Sequence, residues 1–154
     1  PIEQPKATAT SEEQRDLVLE VDEETRVRRF IELYHQAQNM PDLPGLQGLL
    51  SLYADQVNYF GVGVVAKDFI LQDKQAYYAR WPMVHFDLAG APSLRLLKDG
   101  QTVEVRFEIV FMVRNAQKWI SGNAVNTLRL RPQGQGYVIV DEKQTVLSRN
   151  KGSL

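Results

Sequence analysis

Apolar residues in the first third of the chain recur at helical spacing. Val27, Phe30, Ile31 and Tyr34 follow one another every three or four residues, which predicts an amphipathic helix. This helix should end near Asn39, because two prolines follow closely and the residue before a proline disfavours the helical conformation. The stripe is wide enough to bury one side of the helix against a sheet.

Two further helices are predicted on either side of a short strand. Gly45–Ala54 and Lys67–Arg80 have helical spacing, and Val57–Phe60 between them is strand-like. In the last helix we expect Lys74 and Arg80 to be solvated. The side chains that we expect to point inward there are Phe69, Ile70, Ala76 and Tyr77.

The chain beyond Pro82 alternates with a period of two and is turned by Gly-rich segments, which predicts a meander of strands. The second half of the longest alternating strand is apolar on both sides, at Val110 and Met112, so we expect it to be covered on both faces. Long strands usually curl, and Gly122 is a plausible bend point. The predicted strands are 84–88, 92–97, 103–114, 119–131 and 137–147.

Helices that precede a run of strands favour an α+β fold. We therefore predict three N-terminal helices packed in a strongly curved, mainly antiparallel sheet with the shape of a cone. A length of 154 residues fits one domain, which we place at 11–148. A capping-box pattern at 10–13 predicts the first helix start. Residues 1–10 are expected to be a flexible terminus or linker, and 149–154 a loose tail.

The amino-acid composition excludes several classes of partner and of binding site. The net charge of −1 comes from 18 basic and 19 acidic side chains, which argues against a nucleic-acid partner. The chain has no cysteine, so disulfides and thiolate metal sites are excluded. Two distant histidines and no phosphate-binding glycine loop predict neither a metal nor a cofactor. No apolar run is long enough for a membrane span.

The first residue is Pro1, so we expect a processed or trimmed chain that an upstream domain could precede. The compartment stays open between the cytoplasm and export, because chains without cysteine occur in both.

Two segments carry a resemblance to a known family. YADQVNYFGVGVVAKDFILQDKQAYYARWP at Tyr53–Pro82 and GYVIVDEKQTVL at Gly136–Leu147 resemble a bacterial branch of the nuclear transport factor 2-like superfamily, which includes ketosteroid isomerase and SnoaL-like cyclases. The resemblance implies the cone-shaped fold and a hollow within it. Its isomerases carry a carboxylate base on the first strand, where this chain has Asn58, Tyr59 and Phe60. Tyr34 matches their tyrosine on the first helix.

Aromatic residues and a few polar ones are the candidates for a ligand pocket, because such cavities are mostly apolar with a few polar tips. The alternative is that the aromatic residues only fill the core, with hydroxyls reaching the rim. The candidate pocket residues are Tyr34, Tyr59, Tyr77, Trp81, His85 and Asn126.

Acid–base chemistry would depend on His85 together with Asp55, Asp73 or Glu142, because a histidine base needs a partner that orients it. Glu142 lies either inside the cone or on the surface, where it would pair with Arg129.

Two functions follow from these patterns. The first is a non-catalytic module that binds a small, partly apolar molecule in the cone or forms a homodimer through the outer face of its sheet. The second is a small lyase, isomerase or hydrolase that acts on an apolar substrate with a His/Asp pair. The residues expected to supply the dimer interface are Val110, Met112, Trp119 and Ile120.

Overall fold

A computed structural model describes residues 19–154, in which three helices pack on a curled sheet. Helix α1 spans Val21–Gln38, α2 spans Leu43–Leu50 and α3 spans Lys67–Arg80. The corner between α1 and α2 needs a glycine, because a Cβ on Gly45 would lie 2.2 Å from the carbonyl oxygen of Met40. Asp42 caps α2 by accepting a hydrogen bond of 2.8 Å from the Gly45 amide.

The sheet has seven strands: β1 Tyr53–Tyr59, β2 Val64–Ala66, β3 Met83–Leu88, β4 Ser93–Leu96, β5 Val103–Arg114, β6 Lys118–Gln133 and β7 Gly136–Ser153. They lie in the order β2-β1-β7-β6-β5-β3, with β4 paired to β5. All of these pairs are antiparallel except β1 with β7, which is parallel. This architecture confirms the predicted α+β class with a curved, mainly antiparallel sheet.

Strand β7 contains two places where one extra residue interrupts its pairing with β6. Ile139 and Asp141 pair with consecutive residues of β6, so Val140 is the extra residue of a β-bulge. A second shift leaves Leu147 as an extra residue, because Val146 and Ser148 pair with the consecutive residues Ala124 and Asn123 of β6. Gly122 itself allows a close approach, because a Cβ there would lie 2.0 Å from the Ser148 carbonyl oxygen.

The core lies between the concave face of the sheet and α1. Phe30, Ile31 and Tyr34 of α1 are buried, as their spacing predicts. Tyr34 meets Phe107 of β5 edge to face, with ring centroids 6.1 Å apart. The α1 side chains therefore fill much of the concavity and form one wall of any space that remains.

Two predicted boundaries were wrong. The second helix ends at Leu50 and not at Ala54, because Tyr53 already belongs to β1 and the Ile139 amide donates to the Leu52 carbonyl at 2.8 Å. The last strand continues to Ser153 through the expected loose tail, because β6 supplies backbone partners as far as Lys118. The predictions for 1–10 and for the capping box at 10–13 lie outside the described residues.

The predicted inward face of the third helix was also wrong. Helix α3 buries Ile70, Lys74 and Tyr78, a stripe with a spacing of four, whereas Phe69 and Tyr77 are 43% and 38% exposed. Ala76 is exposed as well.

Val110 and Met112 of β5, expected to be covered, are 47% and 48% exposed. Within residues 19–154 nothing covers the outer face of β5 at these two positions. None of the helices in this part of the chain is long and apolar enough to cross a membrane.

Candidate functional site

A cavity of about 610 Å³ opens between α1, α3 and the concave face of the sheet. Its wall combines six aromatic residues with seven polar or charged ones, which come from α1, α3, β6 and the middle of β7. The aromatic lining residues are Tyr34, Tyr59, Phe60, Tyr77, Tyr78 and Phe86, and the polar or charged ones are Gln38, Asp73, Lys74, Asn126, Lys143, Gln144 and Thr145. Pockets of this size and character hold small organic molecules.

A buried carboxylate lies behind the α1 wall of the cavity. Glu142 on β7 is fully buried and accepts hydrogen bonds from the Tyr34 and Tyr53 hydroxyls, the latter at 2.6 Å. Gln38, one helical turn after Tyr34, donates to the Tyr34 hydroxyl at 2.8 Å. Burial, and then the charge of Glu142, raise the pKa of Tyr34 and of Tyr53 well above the usual value. Both hydroxyls therefore remain protonated and act as donors.

A second tyrosine–carboxylate pair lies between β1 and α3. The Tyr59 hydroxyl donates to Asp73 at 2.7 Å, and burial followed by this hydrogen bond raises the pKa of Tyr59. Phe60, the next residue, has a φ of 46° and packs on the Tyr59 ring with centroids 4.6 Å apart. Such a conformation is uncommon for a residue with a side chain, and it places Phe60 at the cavity beside Gly61.

Lys74 of α3 contacts the same aromatic pair. Its ammonium lies 5.6 Å from the Tyr59 ring centroid and 5.4 Å from that of Phe60, and the residue is only 9% exposed. The expectation that Lys74 is solvated was therefore wrong, because the buried stripe of α3 includes it. Arg80 is exposed, as expected.

The remaining wall combines hydroxyls and amides. Tyr78 donates to the Gln38 carbonyl at 2.9 Å, and Gln144 donates to the Asn126 side-chain oxygen at 2.9 Å. Burial raises the pKa of Tyr77 to about 12. Around neutral pH the tyrosines of the cavity are thus hydrogen-bond donors and not bases.

Solved structures show the same fold. A protein from Novosphingobium aromaticivorans, provisionally described as an aromatic ring hydroxylase, is similar over 89% of this chain and 96% of its own, with a TM-score of 0.75 at 11% identity. An NTF2-like protein of unknown function from Pseudomonas putida KT2440 gives 0.68 at 18% identity, over 83% and 89%. A protein of unknown function with a cystatin-like fold from Nostoc punctiforme gives 0.63 at 10% identity, over 83% and 93%.

The chain has a nuclear transport factor 2-like fold. The resemblance in the sequence is thereby confirmed at the level of the fold. No family model matches the sequence, and no curated protein matches it. Because this fold carries unrelated activities, the function depends on the residues of the cavity and not on the fold.

Four of the predicted pocket residues line the cavity of this nuclear transport factor 2-like fold: Tyr34, Tyr59, Tyr77 and Asn126. Trp81 does not line it, although it is buried, with the Arg80 guanidinium 5.3 Å from its ring. Among the acids, Asp73 lines the cavity and Glu142 lies behind Tyr34.

His85 lies outside the cavity, on the outer face of β3. Its Nε2 lies 2.7 Å from Asp87, and its side chain is 70% exposed. Asp55 is also exposed and borders a separate shallow depression with Lys67. The structure therefore does not pair His85 with Asp55, Asp73 or Glu142. The alternation of β3 explains this, because Phe86 points into the cavity and its neighbours must point outward.

Glu142 lies inside and not in a surface ion pair. Arg129 instead pairs with Glu104 at 3.1 Å. The bulge at Val140 is the cause, because one extra residue shifts the alternation of β7 and turns Glu142 toward the concave side.

Sequence reasoning missed Gln38, Lys74 and Lys143 as parts of the site. Gln38 could have been found from its spacing of four from Tyr34, and Lys74 from its place between Ile70 and Tyr78. Within residues 19–154 no three His, Asp or Glu side chains come close enough to hold a metal ion.

Proposed function

We propose that this domain binds a small, partly apolar molecule in its cavity and does not convert it chemically. The observation that carries the proposal is a cavity of about 610 Å³ in which six aromatic residues offer apolar contact and the polar lining groups can fix the orientation of a ligand. Six of the lining side chains are tyrosines or phenylalanines, and together with Ile109 they suit a flat apolar body.

The groups that could transfer protons support binding over catalysis. Asp73 accepts from Tyr59, and Glu142 accepts from Tyr34 and Tyr53, so both carboxylates are held by hydroxyls with raised pKa values. The lyase, isomerase or hydrolase alternative depends on His85, which faces away from the cavity. The lining of the cavity therefore lacks the histidine on which that alternative depends.

Binding can be tested with N-phenyl-1-naphthylamine, a neutral probe whose fluorescence rises in apolar pockets. We expect saturable binding by the wild type and its loss in Thr145→Trp, because Thr145 is exposed and lines the cavity. Val146→Trp is the matched control, since Val146 is 48% exposed and does not line the cavity. Equal binding by both variants, or none by the wild type, would refute the proposal.

We also propose a homodimer through the outer face of the sheet. Val110 and Met112 are 47% and 48% exposed on adjacent outward positions of β5, and Met83 of β3 is 49% exposed. Trp119 of β6 is half-buried and pairs with Arg114 on this outer face, whereas Ile120 pairs with the buried Val113 and therefore lies on the other face. Light scattering coupled to size exclusion should report a dimer for the wild type and a monomer for a Val110→Glu, Met112→Glu double variant. A monomeric wild type at all concentrations would contradict the proposal.

A further inference from the structure

Lys74 is a mostly buried lysine whose donors have no acceptor among residues 19–154, and its ammonium is not fully enclosed, because in this part of the chain only His35 Nδ1 is a fully buried polar side-chain atom without a partner. No carboxylate in this part of the chain lies within 4.0 Å of its ammonium, and no side-chain or backbone oxygen accepts a hydrogen bond from it. The residue is 9% exposed and lines the cavity. Its nearest partners are the faces of the Tyr59 and Phe60 rings.

The ammonium of Lys74 needs acceptors that the cavity has to supply. The group carries three donors, and the two ring faces offer it a cation–π contact but no hydrogen-bond acceptor. The acids of the site already accept from tyrosines: Asp73 accepts from Tyr59, and Glu142 accepts from Tyr34 and Tyr53. Water or a ligand in the cavity is therefore the acceptor that is left for the lysine.

The geometry points to a ligand with an anionic group, specifically an aromatic or compact apolar carboxylic acid whose carboxylate pairs with Lys74. The aromatic wall holds the apolar body, with Tyr77 and Phe86 among its members. Lys143, exposed at the edge of the same cavity, adds a second positive charge. This inference rests on the proposed binding function and names the chemical class of its ligand.

A matched pair of probes tests whether the charge of the ligand, and not only its shape, determines the affinity. Naphthalene-2-carboxylate and naphthalene-2-carboxamide are nearly equal in size, but only the first is an anion. By isothermal titration calorimetry the wild type should bind the carboxylate about tenfold more tightly than the carboxamide, since a charge-assisted hydrogen bond is roughly twice as strong as a neutral one.

Variants of helix α3 test whether Lys74 causes the preference for the carboxylate over the carboxamide. Lys74→Met should weaken carboxylate binding by about tenfold and leave carboxamide binding nearly unchanged. Lys74→Arg should keep the preference, because it keeps the charge. Lys67→Met removes the same charge from the same helix outside the cavity and should change neither affinity.

The possible failures are distinguishable. Equal affinity of the wild type for the two naphthalene probes, or binding of N-phenyl-1-naphthylamine without binding of the carboxylate, would overturn the anionic ligand and leave the cavity function standing. A preference that survives in Lys74→Met would overturn the role of Lys74. If no probe binds, the proposed function fails and this inference fails with it. The comparison in the wild type decides the ligand class even if Lys74→Met does not fold.

Discussion

Removal of the Tyr53 hydroxyl should reveal how strongly the buried Glu142 network holds the domain together. Tyr53→Phe keeps the ring and deletes one oxygen, which lies 2.6 Å from the Glu142 carboxylate. Both residues are buried to 1% exposure or less, so water cannot replace the lost donor. A hydrogen bond to a charged group contributes about 1.5–3 kcal/mol, and the carboxylate keeps its bond to Tyr34. We therefore expect a loss of about 2 kcal/mol in the free energy of unfolding.

Urea unfolding followed by fluorescence of Trp81 and Trp119 measures this loss. The melting temperature should fall by roughly 4–8 °C, given about 2–4 °C per kcal/mol in a domain of this size. Tyr77→Phe is the control, because the Tyr77 hydroxyl has no hydrogen-bond partner within residues 19–154 and the side chain is 38% exposed. A Tyr53→Phe loss no larger than that of the control would refute the reasoning.

Three further changes test other parts of the fold. Gly45→Ala should destabilise the protein by about 1–3 kcal/mol, because its Cβ would meet Met40, whereas Gly48→Ala in the same helix has open space and should stabilise it by up to about 1 kcal/mol in chemical denaturation. Asp42→Ala removes the α2 cap and should cost about 1 kcal/mol, measured in the same way. Burial lowers the pKa of His35 in the folded protein from its ordinary 6.5. The stability that the neutral His35 contributes is therefore complete above pH 6.5, and it is lost as the pH falls toward the lowered folded-state pKa. Stability measured against pH should therefore fall less steeply below 6.5 in His35→Gln than in the wild type, and parallel curves would contradict this assignment.

Elements with a strong local period could be predicted from the sequence. The stripe from Val27 to Tyr34 specifies a helix face, and the alternation of β5 specifies which of its residues point inward, because each period reports burial within one element. The boundary at Tyr53 could not be found in this way, since it depends on pairing with Ile139, far away in the chain. The same is true of the strand that continues beyond Leu147.

The candidate site was only partly predictable for a related reason. Tyr59 and Tyr77 were found because aromatic residues near a predicted hollow are natural wall residues. The prediction placed His85 in the pocket because histidine is a common acid–base group. The alternation of β3 instead gives His85 an outward position. Lys74 was assigned to solvent from its charge alone, although neighbours four residues away on each side are buried.

The extra residue at Val140 has a consequence for how tolerant the buried site is of changes in chain length. Two acids stand side by side after it, Asp141 and Glu142, and the second one faces the tyrosines. Because Asp141 already pairs with Arg129, next to the pair of Ile139 with Leu130, deletion of Val140 would close the bulge and leave Asp141 outward and Glu142 inward. Loss of this one codon during evolution would therefore straighten the strand and spare the buried carboxylate, while the rest of the sheet keeps its partners.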